Sequence, residues 1–158
     1  MSASVPEVQL DDLYQEVILD HNRRPRNFGK MEGANFYSHG FNPLCGDDYH
    51  LYLFVGKDGV IGKVGFEGQG CAISKSSASM MTEAVQGKPL EEVQRLKERF
   101  LLLLTGGESE AQNNRNQVGK LKIFEGVKKF PVRVKCATLA WHALADALKD
   151  FENKKVYL

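Results

Sequence analysis

The sequence predicts an α+β fold in which a small antiparallel sheet of about three strands packs against several helices. Two observations support this fold class. Extended segments with alternating apolar residues are confined to positions 33–66, and helical periodicity dominates after residue 70. With 158 residues and 42% hydrophobic content, the chain is long enough to bury one core, so we expect a single domain spanning 1–158.

Charge and cysteine content exclude several classes of protein. The 21 basic and 20 acidic residues nearly cancel, which predicts neither a nucleic-acid nor a membrane partner. No apolar run approaches the length of a membrane span, and the start of the chain lacks the pattern of a signal peptide. We therefore expect a cytosolic protein, and three cysteines, an odd number in a reducing compartment, argue against a disulfide framework.

The first predicted element is a helix over Leu10–His21, with Asp11 or Asp12 as its N-cap. Its apolar stripe has helical spacing and comprises Leu13, Val17 and Ile18. Pro25 ends the helical segment, because proline lacks the backbone N–H that a helix interior requires.

Three extended segments form the predicted sheet. Gly33–Phe41 is weakly extended, with Phe36 and Phe41 as its apolar anchors. A strand follows over 50–55, and a turn at 56–59 joins it to a third segment as an antiparallel hairpin. The predicted inward-facing residues are Leu51, Leu53 and Val55 in the second segment and Val60, Val64 and Phe66 in the third. Glycines at positions 62, 65 and 68 predict a bend or a close approach of another backbone.

Helices are predicted for most of the remaining chain. Cys71–Val85 has no helix breaker before Gly87, and its many small residues predict that another element packs closely against it. Pro89 is expected as the first residue of the next helix. The buried stripe of that helix comprises Leu90, Val93, Leu96, Phe100 and Leu103. The polar segment Thr105–Gln117, within an insertion around 105–120, is expected to be a surface loop or a mobile insertion.

The last predicted helix spans Cys136–Phe151. It follows a short amphipathic piece whose apolar residues are Leu121, Ile123, Phe124 and Val127. One face of the helix is apolar and contains Ala137, Trp141, Leu144 and Leu148. Cys136 is thereby expected at the start of a helix, as is Cys71.

A candidate metal site is centred on the turn at 42–48, which places the thiol of Cys45 two residues from the carboxylate of Asp47. We interpret this pair, together with Cys71 and Cys136, as one tetrahedral metal site. Soft thiolate ligands select zinc or iron in a sulfide cluster over Mg²⁺ and Ca²⁺. A carboxylate is easier to displace than a thiolate, which predicts ligand exchange. The alternative is that each cysteine is a small buried hydrophobe.

The protonation state of the thiols is predicted from their position. Unpaired N–H groups at a helix N-terminus lower the pKa of a thiol, and this is expected for Cys71 and Cys136. Lys75, Arg133 and Lys135 are near enough in sequence to add positive charge.

The histidines are predicted to lie outside the metal site. His142 is about 240° around the helix axis from Cys136. His39 and His50 have no ligand-type partner at a useful spacing in the sequence. We therefore expect all three to be core or surface residues.

Four segments together resemble the U-type iron–sulfur cluster assembly proteins, most closely the SufU branch. They are Asn42–Asp47, Gly68–Ser74, Arg133–Ala137 and the helix Tyr14–Asp20 with its following Arg-Asn-Phe-Gly turn. The scaffold branch of this family has a histidine immediately before the third cysteine, where this chain has Lys135. The SufU branch has lysine there and a longer insertion between the second and third cysteines.

The resemblance implies that Cys45, Asp47, Cys71 and Cys136 bind zinc. It further implies that the protein accepts persulfide sulfur from a PLP-dependent cysteine desulfurase of the SufS type and relays it to downstream cluster-assembly proteins. Cys45 is the expected acceptor, because its turn includes the flexible Gly46. Arg133 is expected either to stabilise the charged sulfur during transfer or to balance the charge of the site.

Two other functions remain open from the sequence. In the first, the same four ligands hold a [2Fe–2S] cluster and the protein is a scaffold, although Lys135 is not a ligand at neutral pH. In the second, the zinc is purely structural and the protein is an adaptor whose helical face binds a partner.

Overall fold

The computed structural model describes the backbone of residues 4–157 and the side chains of 14–149 and 151. The elements follow in the order α1 (Ser4–Arg23), β1 (Phe36–Asn42), β2 (Asp47–Val55), β3 (Ile61–Gln69), α2 (Ala72–Val85), α3 (Leu90–Thr105), α4 (Glu108–Asn114), a 3₁₀ helix (Gly119–Lys129) and α5 (Pro131–Tyr157). The predicted α+β class is confirmed, with the strands first and most of the helices after them.

The three strands form one antiparallel sheet in the order β1-β2-β3. Burial alternates along β1 and β2, so one face of the sheet lies against the helices and the other faces solvent. The predicted inward-facing residues of β2 are buried, as are Val64 and Phe66 in β3. β3 begins at Ile61, which is fully buried. Its pairing with β2 has an irregular register between Phe54 and Val55. Val60, predicted on the inner face, lies outside the strand.

Two strand glycines allow close backbone approach, as predicted. A Cβ on Gly65 would lie 3.3 Å from the carbonyl oxygen of Gly29, in the segment that follows α1. Gly68 has a φ of +137°, and a Cβ there would overlap the carbonyl oxygen of Asp48 on the neighbouring strand. Gly68 therefore requires glycine, whereas a Cβ on Gly65 would need its neighbours to shift by a few tenths of an ångström.

Helix α2 is packed between α1 and α5, which explains its small residues. Its serines at 74, 76, 77 and 79 are all buried. Ser77 Oγ donates a hydrogen bond of 2.6 Å to the carbonyl oxygen of Ala137 on α5, and Ser79 Oγ lies 2.7 Å from Nδ1 of His21 on α1. The predicted close packing against this helix is confirmed, and it brings the N-terminal ends of α2 and α5 together.

Two predictions near the start of the chain are wrong. Helix α1 begins at Ser4, so neither Asp11 nor Asp12 is its N-cap; Pro6 is tolerated because it lies in the first turn. The side chain of Leu13 lies outside the described residues, whereas Val17 and Ile18 pack against the core as predicted. Phe41 is 56% exposed and not an apolar anchor, because strand alternation places it on the outer face.

Further along the chain, one loop assignment and two helix starts differ from the prediction. Residues 108–114 form helix α4, and its Ala111 is fully buried, so the segment is not simply a surface loop. Helix α5 begins at Pro131, which suits the first turn of a helix, and Cys136 is therefore its sixth residue. Pro89 is the N-cap of α3 and not its first helical residue. The predicted apolar face of α5 is confirmed.

Candidate metal centre

Cys45 lies at the tip of the β1–β2 hairpin and is exposed. The loop is closed by the paired residues Asn42 and Asp47, and the N–H groups of Cys45 and Gly46 both donate to the carbonyl oxygen of Asn42. The side chain of Asn42 also accepts from the N–H of Leu44. Gly46 has a φ of +72°, which glycine adopts without strain. These hydrogen bonds to Asn42 thus fix the base of the loop, while the Cys45 thiol lies at the surface.

Asp47 is the first residue of β2, and its side chain is completely buried on the inner face of the sheet. Its Oδ1 accepts a hydrogen bond of 3.0 Å from the backbone N–H of Cys71. Its Oδ2 is buried and has no hydrogen-bond partner among the described residues. A buried carboxylate oxygen without a partner is costly, so its environment favours a cation.

Cys71 is the N-cap of α2, as predicted. Its Sγ accepts a hydrogen bond of 3.4 Å from the N–H of Ser74, so the thiol lies at the positive end of the helix. The chain reaches this cap through Gly70, where a Cβ would collide with Asp47, Tyr49 and Ser74. A side chain at position 70 would therefore displace the buried groups through which Asp47 and Cys71 approach each other.

Cys136 approaches this group from α5, where it is 2% exposed. Its Sγ lies 3.3 Å from Sγ of Cys45, although the two residues are 91 positions apart in the chain. The ligand atoms of Cys45, Asp47 and Cys136 all lie within 4.8 Å of one another. Cys71 is not part of that mutual set, but it lines the same cavity and its backbone contacts Asp47.

The donor set fits a thiolate-binding metal. Two thiols at 3.3 Å and a buried carboxylate with one free oxygen converge on a common point, with a third thiol beside them. Sulfur and carboxylate donors in this combination suit zinc or iron better than a hard cation. The structure thus brings the predicted ligands into one region, with Cys71 at its edge.

The pKa of Cys136 differs from the prediction. Burial raises the pKa of this thiol far above its usual range, and the neighbouring Asp47 and Cys45 side chains raise it further. The expected lowering by a helix N-terminus is absent, because Cys136 lies beyond the first turn of α5. A bound cation would reverse this effect, since thiol ligands lose their protons on metal binding.

The three thiols line a cavity of about 470 Å³ that opens to solvent. The other residues around it are Lys129, Phe130, Pro131, Val132 and Arg133. Arg133 is thus near the thiols, as predicted. Lys135 is exposed and is not among the lining residues, and Lys75 lies 5.1 Å from the centre of the Phe28 ring as a cation–π pair.

Several residues of the site were not predicted. Tyr49 and Ser74 share a buried hydrogen bond of 2.9 Å beneath Cys71, and burial raises the pKa of Tyr49. Leu44, Phe130 and Val132 are 50–67% exposed. Leu44 follows Pro43 in the Cys45 loop, and Phe130 and Val132 flank Pro131. The sequence signal that could have identified them is an apolar residue next to a proline and close to a predicted ligand.

The prediction for the histidines was partly wrong. His142 is exposed on α5 and outside the thiol group. His39 and His50, however, do have a ligand-type partner, because Nε2 of His39 lies 2.5 Å from Oδ1 of Asp48. The sequence spacing did not reveal this cluster, since it forms by pairing between β1 and β2.

Comparison with known proteins is consistent with this arrangement. Residues 13–136 match the family model described as NifU-like N terminal domain. The iron–sulfur cluster assembly scaffold protein IscU of Streptococcus pyogenes serotype M1 is 41% identical over 145 residues, which span 92% of this chain and 88% of that protein. The zinc-dependent sulfurtransferase SufU of Bacillus subtilis strain 168 is 40% identical over 144 residues, spanning 91% and 95%.

A solved structure has the same fold. It is the crystal structure of a SUF-system iron–sulfur cluster assembly scaffold protein, SufU, from Fervidobacterium islandicum AW-1. The two chains superpose with a TM-score of 0.77 at 36% identity, over 84% of this chain and 94% of that one. In the described part of the chain, no helix is both long and apolar enough to cross a bilayer.

Proposed function

The chain belongs to the NifU-like N-terminal domain family of iron–sulfur cluster assembly proteins, and from this premise we propose that it accepts persulfide sulfur in a zinc-dependent manner. The observation that carries the proposal is the exposed Cys45 thiol, 3.3 Å from the buried Cys136 thiol and beside the unpartnered Oδ2 of Asp47. One ligand is thus able to leave while the others stay in place.

Cys45, Asp47, Cys71 and Cys136 would hold the zinc. When bound, the metal stabilises thiolates at neutral pH, so that a nucleophilic sulfur is available. Asp47 is held through Oδ1 by the N–H of Cys71, which leaves Oδ2 for the metal. Cys71 and Cys136 are fixed by helices α2 and α5, whereas Cys45 is on a hairpin loop.

The donor in this proposal is a PLP-dependent cysteine desulfurase of the SufS type, which carries its sulfur as a cysteine persulfide. The Cys45 thiolate attacks the terminal sulfur of that persulfide. The enzyme's S–S bond breaks, a new S–S bond forms at Cys45, and the enzyme's cysteine leaves as a thiolate. The transferred sulfur keeps its proton, so Cys45 becomes a persulfide and the enzyme thiol is regenerated without an external oxidant or reductant.

The surroundings of Cys45 support docking of a partner. Phe130 and Val132 are exposed apolar side chains that line the thiol cavity, and Leu44, next to Cys45 in the chain, is also exposed. Apolar residues of this kind form the centre of protein interfaces. Arg133 lines the same cavity, and in this proposal its positive charge stabilises the thiolates that attack and leave during the transfer. The sulfur then passes to downstream cluster-assembly proteins in the cytosol.

The second candidate function is a scaffold for a [2Fe–2S] cluster, because the Streptococcus pyogenes relative is named as a scaffold. Lys135, next to Cys136, is exposed and offers no lone pair at neutral pH, which favours sulfur transfer over this alternative. A third candidate is an adaptor with a purely structural zinc.

The test measures desulfurase activity with and without this protein, together with the metal content of the same sample. We expect about one zinc per chain and stimulation of the desulfurase, and Cys45→Ser should abolish stimulation. Asp47→Ala should lose sulfur acceptance while its far-UV circular dichroism spectrum stays that of the native protein. Unfolding would instead indicate a structural zinc.

The control Asp146→Ala changes an exposed aspartate on α5. A cluster that reconstitutes and transfers to an apo-protein, without stimulation, would favour the scaffold.

A further inference from the structure

A second group of metal-ligating side chains lies on the solvent face of the sheet, and the proposed sulfur chemistry does not use it. It consists of His39 on β1 and of Asp48 and His50 on β2. We infer that these three side chains form a solvent-open site for one divalent first-row transition metal. The inference does not depend on sulfur transfer, because none of its ligands belongs to the thiol cavity.

Strand pairing assembles this histidine–aspartate cluster. His39 and His50 are directly opposite each other in the β1–β2 register, and their rings stack with centroids 4.5 Å apart and planes 5° apart. Asp48 is two residues before His50, so it projects from the same face of the sheet. The Nε2 atoms of His39 and His50 lie 2.5 Å and 3.9 Å from Oδ1 of Asp48. One ligand atom of each residue lies within 4.8 Å of the other two.

A neighbouring tyrosine orients one of the ligands. The hydroxyl of Tyr37 lies 2.5 Å from Nδ1 of His50, within hydrogen-bond distance. The contact orients the imidazole ring so that Nε2 is the nitrogen on the Asp48 side. Metal-binding histidines commonly use their second nitrogen in this way, which fixes the tautomer and the ring orientation.

The ligand types and their exposure define the metal. Two imidazoles and one carboxylate suit Zn²⁺, Fe²⁺ or Co²⁺, whereas Mg²⁺ and Ca²⁺ prefer oxygen ligands throughout. The side chains of His39, Asp48 and His50 are 44%, 38% and 38% exposed. Three protein ligands at an open surface leave the remaining coordination positions to water, so the metal should exchange readily.

Metal titration of the full-length protein tests the inference. The chain is first loaded with zinc until the thiols are protected from a thiol reagent, and Co²⁺ is then added. We expect one further equivalent to bind, with weak visible bands and without the intense near-ultraviolet band of thiolate-bound cobalt. His39→Ala and His50→Ala should each weaken this second binding at least tenfold. His142→Ala is the matched control, because it removes an exposed histidine outside the cluster.

The other outcomes overturn the inference. The protein could bind no second equivalent of Co²⁺, or it could still bind one in both the His39→Ala and the His50→Ala variants. His142→Ala could also weaken the second binding as much as those two variants do. Asp48→Asn, which keeps the shape of the side chain, should also weaken the second binding, and unchanged affinity there would remove Asp48 from the site. A Cys45→Ser, Cys136→Ser double variant separates the two proposals, since it should lose sulfur acceptance and keep the histidine-bound equivalent.

Discussion

The two faces of the β1–β2 hairpin carry adjacent aspartates in different environments. Asp47 is fully buried beside three thiols, whereas Asp48 is about one-third exposed between two imidazoles. Strand geometry causes the separation, because successive side chains point to opposite faces. Burial leaves Oδ2 of Asp47 without a partner among the described residues, while water reaches Asp48. The comparison shows how one strand supports an enclosed soft-ligand site and an open imidazole site back to back.

The largest expected effect distinguishes the two carboxylates. Asp47→Asn removes the negative charge from the thiol group and should lower the rate of sulfur acceptance by roughly 100-fold, at the upper end for changes around a metal centre. The loss should exceed that of Asp48→Asn by at least tenfold, measured as persulfide formed on Cys45 by mass spectrometry. Asp146→Asn on α5 is the control for charge alone. Equal losses at positions 47 and 48 would contradict the division between the faces.

A backbone change next to Asp48 should destabilise the sheet on which both sites depend. In Gly68→Ala, the new Cβ overlaps the carbonyl oxygen of Asp48 at a φ of +137°, and we expect a loss of about 2 kcal/mol in the free energy of unfolding. Gly62→Ala is the matched control in the same strand, since its Cβ would meet only Phe54 at 3.4 Å. Urea unfolding of both variants measures the difference, and similar midpoints would contradict the argument.

The tyrosines of β2 allow the same atom to be removed on each face. Tyr49→Phe deletes a buried hydroxyl that is hydrogen-bonded to Ser74, and should cost about 1 kcal/mol. Tyr52→Phe deletes a half-buried hydroxyl that donates a hydrogen bond to Glu67, and it should lower the free energy of unfolding by less than Tyr49→Phe does. This same bond raises the pKa of Tyr52 to about 12. Urea midpoints at neutral pH provide the comparison, and a larger loss for Tyr52→Phe would reverse the assignment of faces.

The smallest effect concerns pH and the buried histidine His21. Burial holds the pKa of His21 below its usual value of 6.5, so the unfolded chain binds the proton more readily than the folded one. Neutral His21 therefore contributes to the free energy of unfolding in full above about pH 6.5, the usual pKa. This contribution is lost as the pH falls from there through the lower pKa of the folded protein. Glu83, 3.7 Å from Nε2, opposes the shift and keeps the effect small.

Urea midpoints at pH 7.5 and pH 5.5 measure this effect. The difference between the two pH values should be smaller in His21→Gln than in the wild type, because glutamine does not titrate. A larger difference in the variant would show that His21 is charged in the folded protein.

The differences between prediction and structure share a physical origin. The alternation of apolar residues along β2 predicted its buried face, because successive side chains of a strand point to only two faces. Helix starts were harder, because Pro131 and the residues before Leu10 fit a first turn as well as a loop. The polar segment at 108–114 forms α4 because Ala111 packs into the core, a tertiary contact that composition does not reveal.

By itself, the sequence determined the α+β class, the family through its three cysteine segments, and the pairing of a thiol with a carboxylate at 45 and 47. Those features are local, and local patterns specify elements and residue chemistry. The tertiary structure alone decided that Cys136 meets Cys45 across 91 positions, that Oδ2 of Asp47 is left unpartnered, and that His39 meets His50 and Asp48. These contacts depend on helix packing and strand register, which spacing along the chain does not encode.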